Sequence, residues 1–221
     1  MDFNKEAVEA VANANTNFGN ALFKIVAKPD QNLIMSSYSV SSVLNMILPG
    51  AEGRTAFQIK QGLTIKDFDV VKNGFKDVLT LLKTNESFTL NAANRIYFSV
   101  DNSIDKSYIE STQEFFLAEP IAMDFGQAEQ SRTEINQWVE EQTNKKITNI
   151  ISPESISPLT KMVLVNAIYF KGDWEVKFDK SNTEKGDFHV SPTKTVQTDM
   201  MFSKEEYGYV YNFMKRQTQT K

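Results

Sequence analysis

The sequence predicts an α+β fold in which helices pack on a central sheet. Three observations carry this prediction. In the first 80 residues, apolar side chains recur at three- and four-residue steps, which places them on one face of a helix. From Phe88 to Phe98 the period changes to two, the pattern of a strand with one face on a core. Met162–Phe170 is a continuous apolar run, typical of a strand covered on both faces.

The helical spacing predicts six helices. Pro29–Asp30 ends the first one, and Ser36, Ser37 and Ser39 supply N-cap candidates for the second. A capping box, Ser131–Glu134, is expected to open the sixth. The predicted helical segments are residues 8–25, 40–47, 54–63, 67–83, 105–116 and 131–147.

Short runs of alternating or continuous apolar residues predict six strands, with a turn at Ser191–Pro192. These segments are residues 32–35, 88–98, 120–125, 162–170, 187–190 and 207–211. No linker or internal repeat interrupts the pattern. Residues 1–212 are therefore predicted to form one domain, followed by a polar tail over residues 213–221.

Composition excludes several classes of partner. The 221 residues carry 24 Lys plus Arg and 28 Asp plus Glu, so the net charge is -4, and nucleic acid is not an expected partner. Met162–Phe170 is the longest apolar stretch, too short for a membrane span. The start, Met1–Ala7, has the character of a polar helix and predicts no signal peptide. No cysteine is present, which removes disulfides and leaves the redox compartment open.

The sequence lacks the groups that enzymes and cofactor sites need. His189 is the only histidine, and no glycine-flanked serine accompanies it, so hydrolysis by a Ser-His-Asp triad is not expected. One histidine without cysteine does not supply a zinc site, and Gly50–Gly53 lacks the spacing of a phosphate-binding loop. Glu140 and Glu141 point about 100° apart on a helix and are expected on a solvated face. The chain is predicted to be no enzyme and to hold no metal or cofactor.

Two surface features leave alternatives open. A Lys-bearing face of the fourth helix could bind a polyanion, but interleaved Asp67, Asp69 and Asp77 favour an ordinary solvated face. The lysines concerned are Lys66, Lys72, Lys76 and Lys83. Asn85 begins an Asn-Glu-Ser triplet and is a glycosylation candidate of little weight, because such triplets also occur by chance.

Four segments resemble the serpins in the right order along the chain. Asn32–Leu44 with Gly50–Thr55 is similar to the serpin strand and helices near the start of the fold, and Leu90–Tyr97 and Ile135–Thr143 match further on. Val165–Glu175, reading VNAIYFKGDWE, resembles the family's third-strand signature nearly letter for letter. The resemblance covers essentially residues 18–212.

The resemblance implies a large central sheet, a metastable native state and an inhibitor of serine proteases. Family inhibitors offer an exposed reactive loop, and after cleavage that loop inserts as a new strand into the central sheet and deforms the protease. The resemblance also implies an extracellular protein. A cytoplasmic location stays open because no signal peptide is visible.

The resemblance assigns roles to four residues. Ser36, Ser39 and Asn166 match the family's shutter, a buried hydrogen-bonding cluster under the sheet where its strands must part. Trp174 matches the breach, where the loop first enters. The alternatives are a structural Asn166 without a gating role and plain aromatic packing of Trp174.

Departures from the family pattern shape the functional hypothesis. No hinge, reactive loop or C-terminal strand of the family is recognisable after Asn212, and Ser37 stands where most members carry proline. The fold is therefore expected to be incomplete, non-inhibitory as given, and open at an edge of the strand Met162–Phe170. The alternatives are an interaction module that pairs this edge with another chain, or self-associates, and a partial product that does not persist as a folded protein.

Overall fold

A computed structural model describes residues 3–29, 31–84, 88–174 and 176–204, apart from the side chains of residues 83, 84 and 88. It divides into two compact units, with the boundary between Gly172 and Asp173. The boundary predicted at residue 212 and the strand predicted at residues 207–211 lie outside the described residues. No helix in the described part is long and apolar enough to cross a membrane.

Six α-helices form among the described residues of the first unit, as the helical spacing predicts. The Asn4 side chain caps the first, and the Ser36 hydroxyl caps the second by accepting from the Ser39 N–H at 3.1 Å. A 3₁₀ turn, Leu48–Gly50, follows the second helix. The helices are α1 (Lys5–Val26), α2 (Ser37–Ile47), α3 (Gly53–Gly62), α4 (Phe68–Thr84), α5 (Lys106–Phe116) and α6 (Ala128–Gln142).

Three strands form one sheet in the order β2-β1-β3. They are β1 (Phe88–Ser99), β2 (Ala118–Met123) and β3 (Met162–Gly172). β2 runs parallel to β1 from the pair Asn94 and Ala118 onward, and β3 runs antiparallel to β1 along almost its whole length. In the described part of the chain, β1 is the central strand and β3 lies at the edge.

Helices cover both faces of this sheet. Ile96 of β1 belongs to a core shared with α1, α2, α4 and α5, while the next residue, Tyr97, belongs to a second core shared with α6. Ile96 and Tyr97 are both fully buried. Because side chains alternate along a strand, two successive buried residues place β1 between two helical layers.

In its described residues, the second unit contains a hairpin of β4 (Glu184–Ser191) and β5 (Lys194–Met200), preceded by a 3₁₀ turn at Lys180–Asn182. The two strands pair antiparallel, with a register shift between His189 and Ser191 beside the turn. The turn at Ser191–Pro192 and the strand around 187–190 were expected. β5 was not expected, because only Val196 and Met200 of its seven residues are apolar.

Three local expectations were wrong. Residues 32–35 form no strand, since no described strand is available to pair with them, and Ile34 is fully exposed. The sixth helix spans residues 128–142 instead of 131–147. Its expected capping box does not form, because Ser131 lies inside the helix and its hydroxyl donates to the Asp124 carbonyl at 3.0 Å.

The continuous apolar run of β3 is buried only in part. Val165 and Ala167 pack under α6, and Leu164 contacts the opposite core. Met162 and Phe170 are exposed. The expectation of a strand covered on both faces thus holds at its centre and fails at its ends.

Candidate functional site

The two serines expected beside Asn166 are used at the start of α2. Ser36 is exposed and serves as the N-cap, with Ser39 supplying the N–H that it accepts. No hydrogen bond in the described part joins either serine to Asn166. Ser39 does line the same cavity as Asn166, so the structure brings these two residues together across a groove and leaves Ser36 apart.

Asn166 instead bonds to a buried amide on the central strand. Its Nδ2 donates to Asn94 Oδ1 at 2.8 Å, and the Ser42 hydroxyl of α2 donates to the same oxygen at 3.3 Å. Asn94 Nδ2 donates in turn to the carbonyl oxygen of Phe116 at 2.7 Å. We call Ser42, Asn94 and Asn166 the amide cluster. It joins α2, β1, β3 and the last turn of α5.

The amide cluster is incompletely satisfied. Asn166 Oδ1 is buried and has no hydrogen-bond partner within the described residues. The Tyr38 hydroxyl on α2 is also buried without a hydrogen-bond partner in the described part, and this burial raises the pKa of the phenol. A buried acceptor without a partner costs about 1–3 kcal/mol, so a donor reaching Asn166 Oδ1 would be stabilising.

A groove opens from the cluster along the free edge of β3. Its cavity measures about 340 Å³. Four consecutive β3 residues line it, and because side chains alternate between faces, such a cavity borders the edge of the strand. The far wall is fixed by Asn136 of α6, whose amide exchanges two hydrogen bonds with the Ile151 backbone, at 2.8 and 2.9 Å. The lining is Ser39, Val40, Val43, Leu44, Ile150, Ile151, Val163, Leu164, Val165 and Asn166.

The remaining two residues singled out in the sequence are Trp174 and Asn85. Trp174 belongs to the second unit, is 67% exposed, and packs edge-on against Phe178 with ring centroids 5.9 Å apart. Its role at the breach stays a prediction. Asn85 lies outside the described residues.

The titratable side chains singled out in the sequence lie on the surface in the described part. His189 is exposed on the hairpin, and its Nδ1 lies 2.8 Å from the Thr195 hydroxyl. Glu141 accepts a hydrogen bond from Gln137 on the surface of α6. Within the described ranges, no three His, Asp or Glu side chains lie close enough to hold a metal ion.

Sequence reasoning missed Ser42 and Asn94. A signal for Asn94 was present, because it falls between Ala92 and Ile96 on the buried face of β1, where an amide must find partners. Ser42 carried a weaker signal, since it is one of four serines in α2 and only the helix phase places it toward the sheet.

Comparison with known proteins decides the family. A family model described as "Serpin (serine protease inhibitor)" matches residues 13–220. The chain belongs to the serpin family. The match extends over nearly the whole sequence, as the resemblance of the four segments implied.

Curated serpins are somewhat more than one-third identical to this chain over the aligned residues. Serpin B6 of Macaca fascicularis is 38% identical over 210 residues, which is 92% of this chain and 56% of the relative. Leukocyte elastase inhibitor A of Mus musculus is 36% identical over 208 residues, 92% of this chain and 55% of the relative. The chain therefore spans about half the length of the curated relatives it matches.

Solved serpin structures share the fold. Ovalbumin from emu (Dromaius novaehollandiae) superposes with a TM-score of 0.81 at 29% identity, covering 88% of this chain and 54% of the other. A structure titled "Cleaved Serpin 42Da" gives a TM-score of 0.79 at 30% identity, with coverage of 89% and 53%. The chain thus carries the N-terminal portion of the serpin fold.

Proposed function

We propose that the protein carrying this sequence inhibits a serine-type endopeptidase by strand insertion at the edge of β3, and that the 221-residue chain by itself holds the acceptor site without inhibiting. The observation that carries the proposal is the groove along β3, which is lined by Asn166, a residue whose buried Oδ1 has no partner in the described part. Support also comes from relatives whose names describe inhibitors, among them leukocyte elastase inhibitor A.

The groove matches what an added strand requires. An incoming strand would pair with the backbone of β3, which bonds to β1 on one side only in the described part. It would also cover the apolar walls from α2 and the Ile150–Ile151 segment. A side-chain donor placed over Asn166 would complete the amide cluster. Backbone pairing supplies affinity and this polar contact supplies register.

In this proposal Asn166 gates the sheet and Ser39 lines the entry, whereas Ser36 acts only through the start of α2. No catalytic step belongs to the chain, because an inhibitor of this kind uses the protease's own nucleophile. We expect the chain by itself not to inhibit, because no segment of it resembles the family's reactive loop. Without that loop, a protease has no site at which cleavage would lead to inhibition.

Protease trapping tests both halves of the proposal. The chain is mixed with trypsin and with chymotrypsin, and the products are separated under denaturing conditions. We expect no adduct that survives denaturant, and a clear adduct would refute the non-inhibitory half. The longest reading frame that contains this sequence is tested in parallel against trypsin-, chymotrypsin- and elastase-like proteases. Failure of that product to trap any of them would refute the inhibitory half.

A second candidate function is association through the same edge, either with another chain or with a second copy. The open side of β3 favours it, because a strand edge with an apolar groove is a template for pairing. Met162→Lys places a charge on this edge, and Leu159→Lys places one on an 83% exposed residue off the strand. We expect size-exclusion chromatography to show dimers or larger species that Met162→Lys reduces and Leu159→Lys leaves. A compact monomer for the unmodified chain would contradict this function.

The location of the protein stays a proposal of the same kind. The family resemblance implied an extracellular protein, with a cytoplasmic protein as the alternative. Fractionation of the source cells from their medium, followed by detection of the chain, separates the two.

A further inference from the structure

The central strand has a second stretch of open edge, on the side away from β3. β1 pairs with β3 at eleven positions, from Phe88 to Phe98. It pairs with β2 at only six, from Asn94 to Ser99. Beside residues 88–93, no described strand continues β2. About 20 Å of strand length therefore has a partner on one side only, at roughly 3.3 Å per residue.

A cavity of about 330 Å³ lies at this place. Its lining includes six consecutive residues of β1, from Leu90 to Arg95. Because successive side chains point to opposite faces, a cavity that touches six in a row borders the backbone edge. Along that edge, alternate backbone N–H and C=O groups point away from β3.

One face of the cavity is polar and held in position. The Arg95 guanidinium stacks 4.7 Å from the centroid of the Trp138 ring and forms an ion pair with Glu119. Arg95 Nε is buried and has no partner in the described part. Asn91 Nδ2 donates to the Gln142 carbonyl at 3.5 Å, the outer limit of a hydrogen bond. The Asn91 amide and the Arg95 guanidinium thus supply the polar groups of this face.

The opposite face of β1 is apolar at residues 90 and 92, and the amide that follows on this face, Asn94, already bonds within the amide cluster. Leu90 and Ala92 point away from Asn91 and Arg95, since strand side chains alternate. Leu117 adds a further apolar side chain to the lining. It is the C-cap residue of α5, and its backbone φ is 48°. A ligand that fits this cavity thus needs a hydrogen-bonding backbone with polar groups on one side and apolar groups on the other.

We propose that this cavity binds an extended peptide of alternating polar and apolar residues, which continues the line of β2 alongside β1. The bound peptide pairs its backbone with residues 90–93, directs polar side chains toward Asn91 and Arg95, and directs apolar side chains toward Leu90 and Leu117. The site is separate from the β3 groove, because the two lie on opposite sides of β1. It does not depend on the proposed inhibitory function.

Hydrogen exchange with a defined probe tests the proposal. The probe is acetyl-Val-Thr-Val-Thr-Val-amide, and the control is the same peptide methylated at every backbone nitrogen, which lacks N–H donors. At a probe concentration ten times its Kd, we expect exchange of alternate amides within residues 90–93 to slow about tenfold, while residues 162–172 are unchanged. The methylated peptide should give no protection.

Trp138 offers a second readout on the wall of the cavity. The chain contains two tryptophans, so Trp174→Phe leaves Trp138 as the sole fluorophore. We expect a saturable fluorescence change with the probe at the same midpoint as the exchange protection. Protection of residues 162–172 alone, or no protection and no fluorescence change at millimolar probe, would overturn the proposal.

A pair of matched variants locates the contact. Leu117→Asn removes the apolar side chain while suiting the positive φ, and Leu159→Asn makes the same change at an exposed leucine outside the cavity. We expect Leu117→Asn to weaken probe binding at least about fivefold, which corresponds to roughly 1 kcal/mol, and Leu159→Asn to leave it unchanged. Equal affinities for the two variants, with unfolding curves that show both folded, would overturn the assigned site.

Discussion

Replacement of Asn94 by alanine should be the most costly single change in the amide cluster. The substitution removes three hydrogen bonds, to Ser42, Asn166 and the Phe116 carbonyl. Asn94 and Ser42 are buried, so the hydroxyl and the carbonyl lose partners where water does not replace them. At about 1 kcal/mol per bond, and more where a buried group stays unsatisfied, the expected loss in the free energy of unfolding is about 3–5 kcal/mol.

Asn166→Ala should cost much less, although its bond to Asn94 is short. The substitution loses that single bond but also removes the buried Oδ1 that has no partner. The two effects oppose each other, so we expect a loss of about 0–1 kcal/mol. Asn91→Ala is the matched control on the same strand, because Asn91 makes one hydrogen bond at 3.5 Å and is half-buried. We expect about 0.5 kcal/mol or less for it.

Urea unfolding followed by far-UV circular dichroism measures these differences, provided that the slopes of the transitions agree. In the double variant Asn94→Ala/Asn166→Ala, we expect a coupling of about 1 kcal/mol between the two sites. The reasoning fails if Asn94→Ala costs no more than Asn91→Ala, or if Asn166→Ala costs more than Asn94→Ala. Either result would mean that the cluster is not organised around Asn94.

Three further outcomes follow from local geometry. Ser36→Ala should lower the stability of the chain by about 1 kcal/mol in thermal unfolding because α2 loses its N-cap, whereas Ser36→Asp should retain it. Gly74→Ala should disrupt the packing of α4 on α1, since a Cβ there would overlap the Ala7 carbonyl, while Gly62→Ala meets open space and should be tolerated; urea midpoints compare the two. Burial raises the pKa of Tyr108 from 10.0 to about 12, so the stability this protonated phenol contributes is intact below pH 10 and is lost as the pH rises from about 10 to about 12. Because burial also raises the pKa of Tyr38, Tyr108→Phe should reduce, not abolish, the fall of the urea midpoint over this pH range, and an unchanged profile would contradict the assignment.

Periodicity was sufficient to predict the helices and the central strand because each of these elements buries a face against a neighbour in the first unit. The period-two run of β1 and the helical spacing of α4 meet at Phe75 and Ile96 in the same core. Residues 32–35 show the converse case. Their apolar sequence suits a strand, but a strand needs a ladder partner, and pattern alone does not state whether that partner is present.

The amide cluster was predictable only in part, for a geometric reason. Asn166 stands out as a lone amide in an apolar run, so its need for partners was visible in the sequence. The choice of partner depends on the register between β1 and β3, which places Asn94 directly opposite Asn166. The family resemblance instead predicted Ser36 and Ser39, at the start of α2, as the partners of Asn166. The helix phase of α2 turns Ser42 toward the sheet and uses Ser36 for its cap.

The same register explains why an amide is tolerated at the edge of the sheet. Asn94 offers one oxygen that receives two donors, so Asn166 Nδ2 is satisfied while its own oxygen is left over. An apolar residue at position 166 would leave Asn94 Oδ1 with only the Ser42 hydroxyl and would remove the polar side chain from the β3 wall of the groove. The amide therefore contributes little to the stability of the chain itself. If a strand inserts as proposed, Asn166 would make the groove selective for a strand that brings a hydrogen-bond donor to this position.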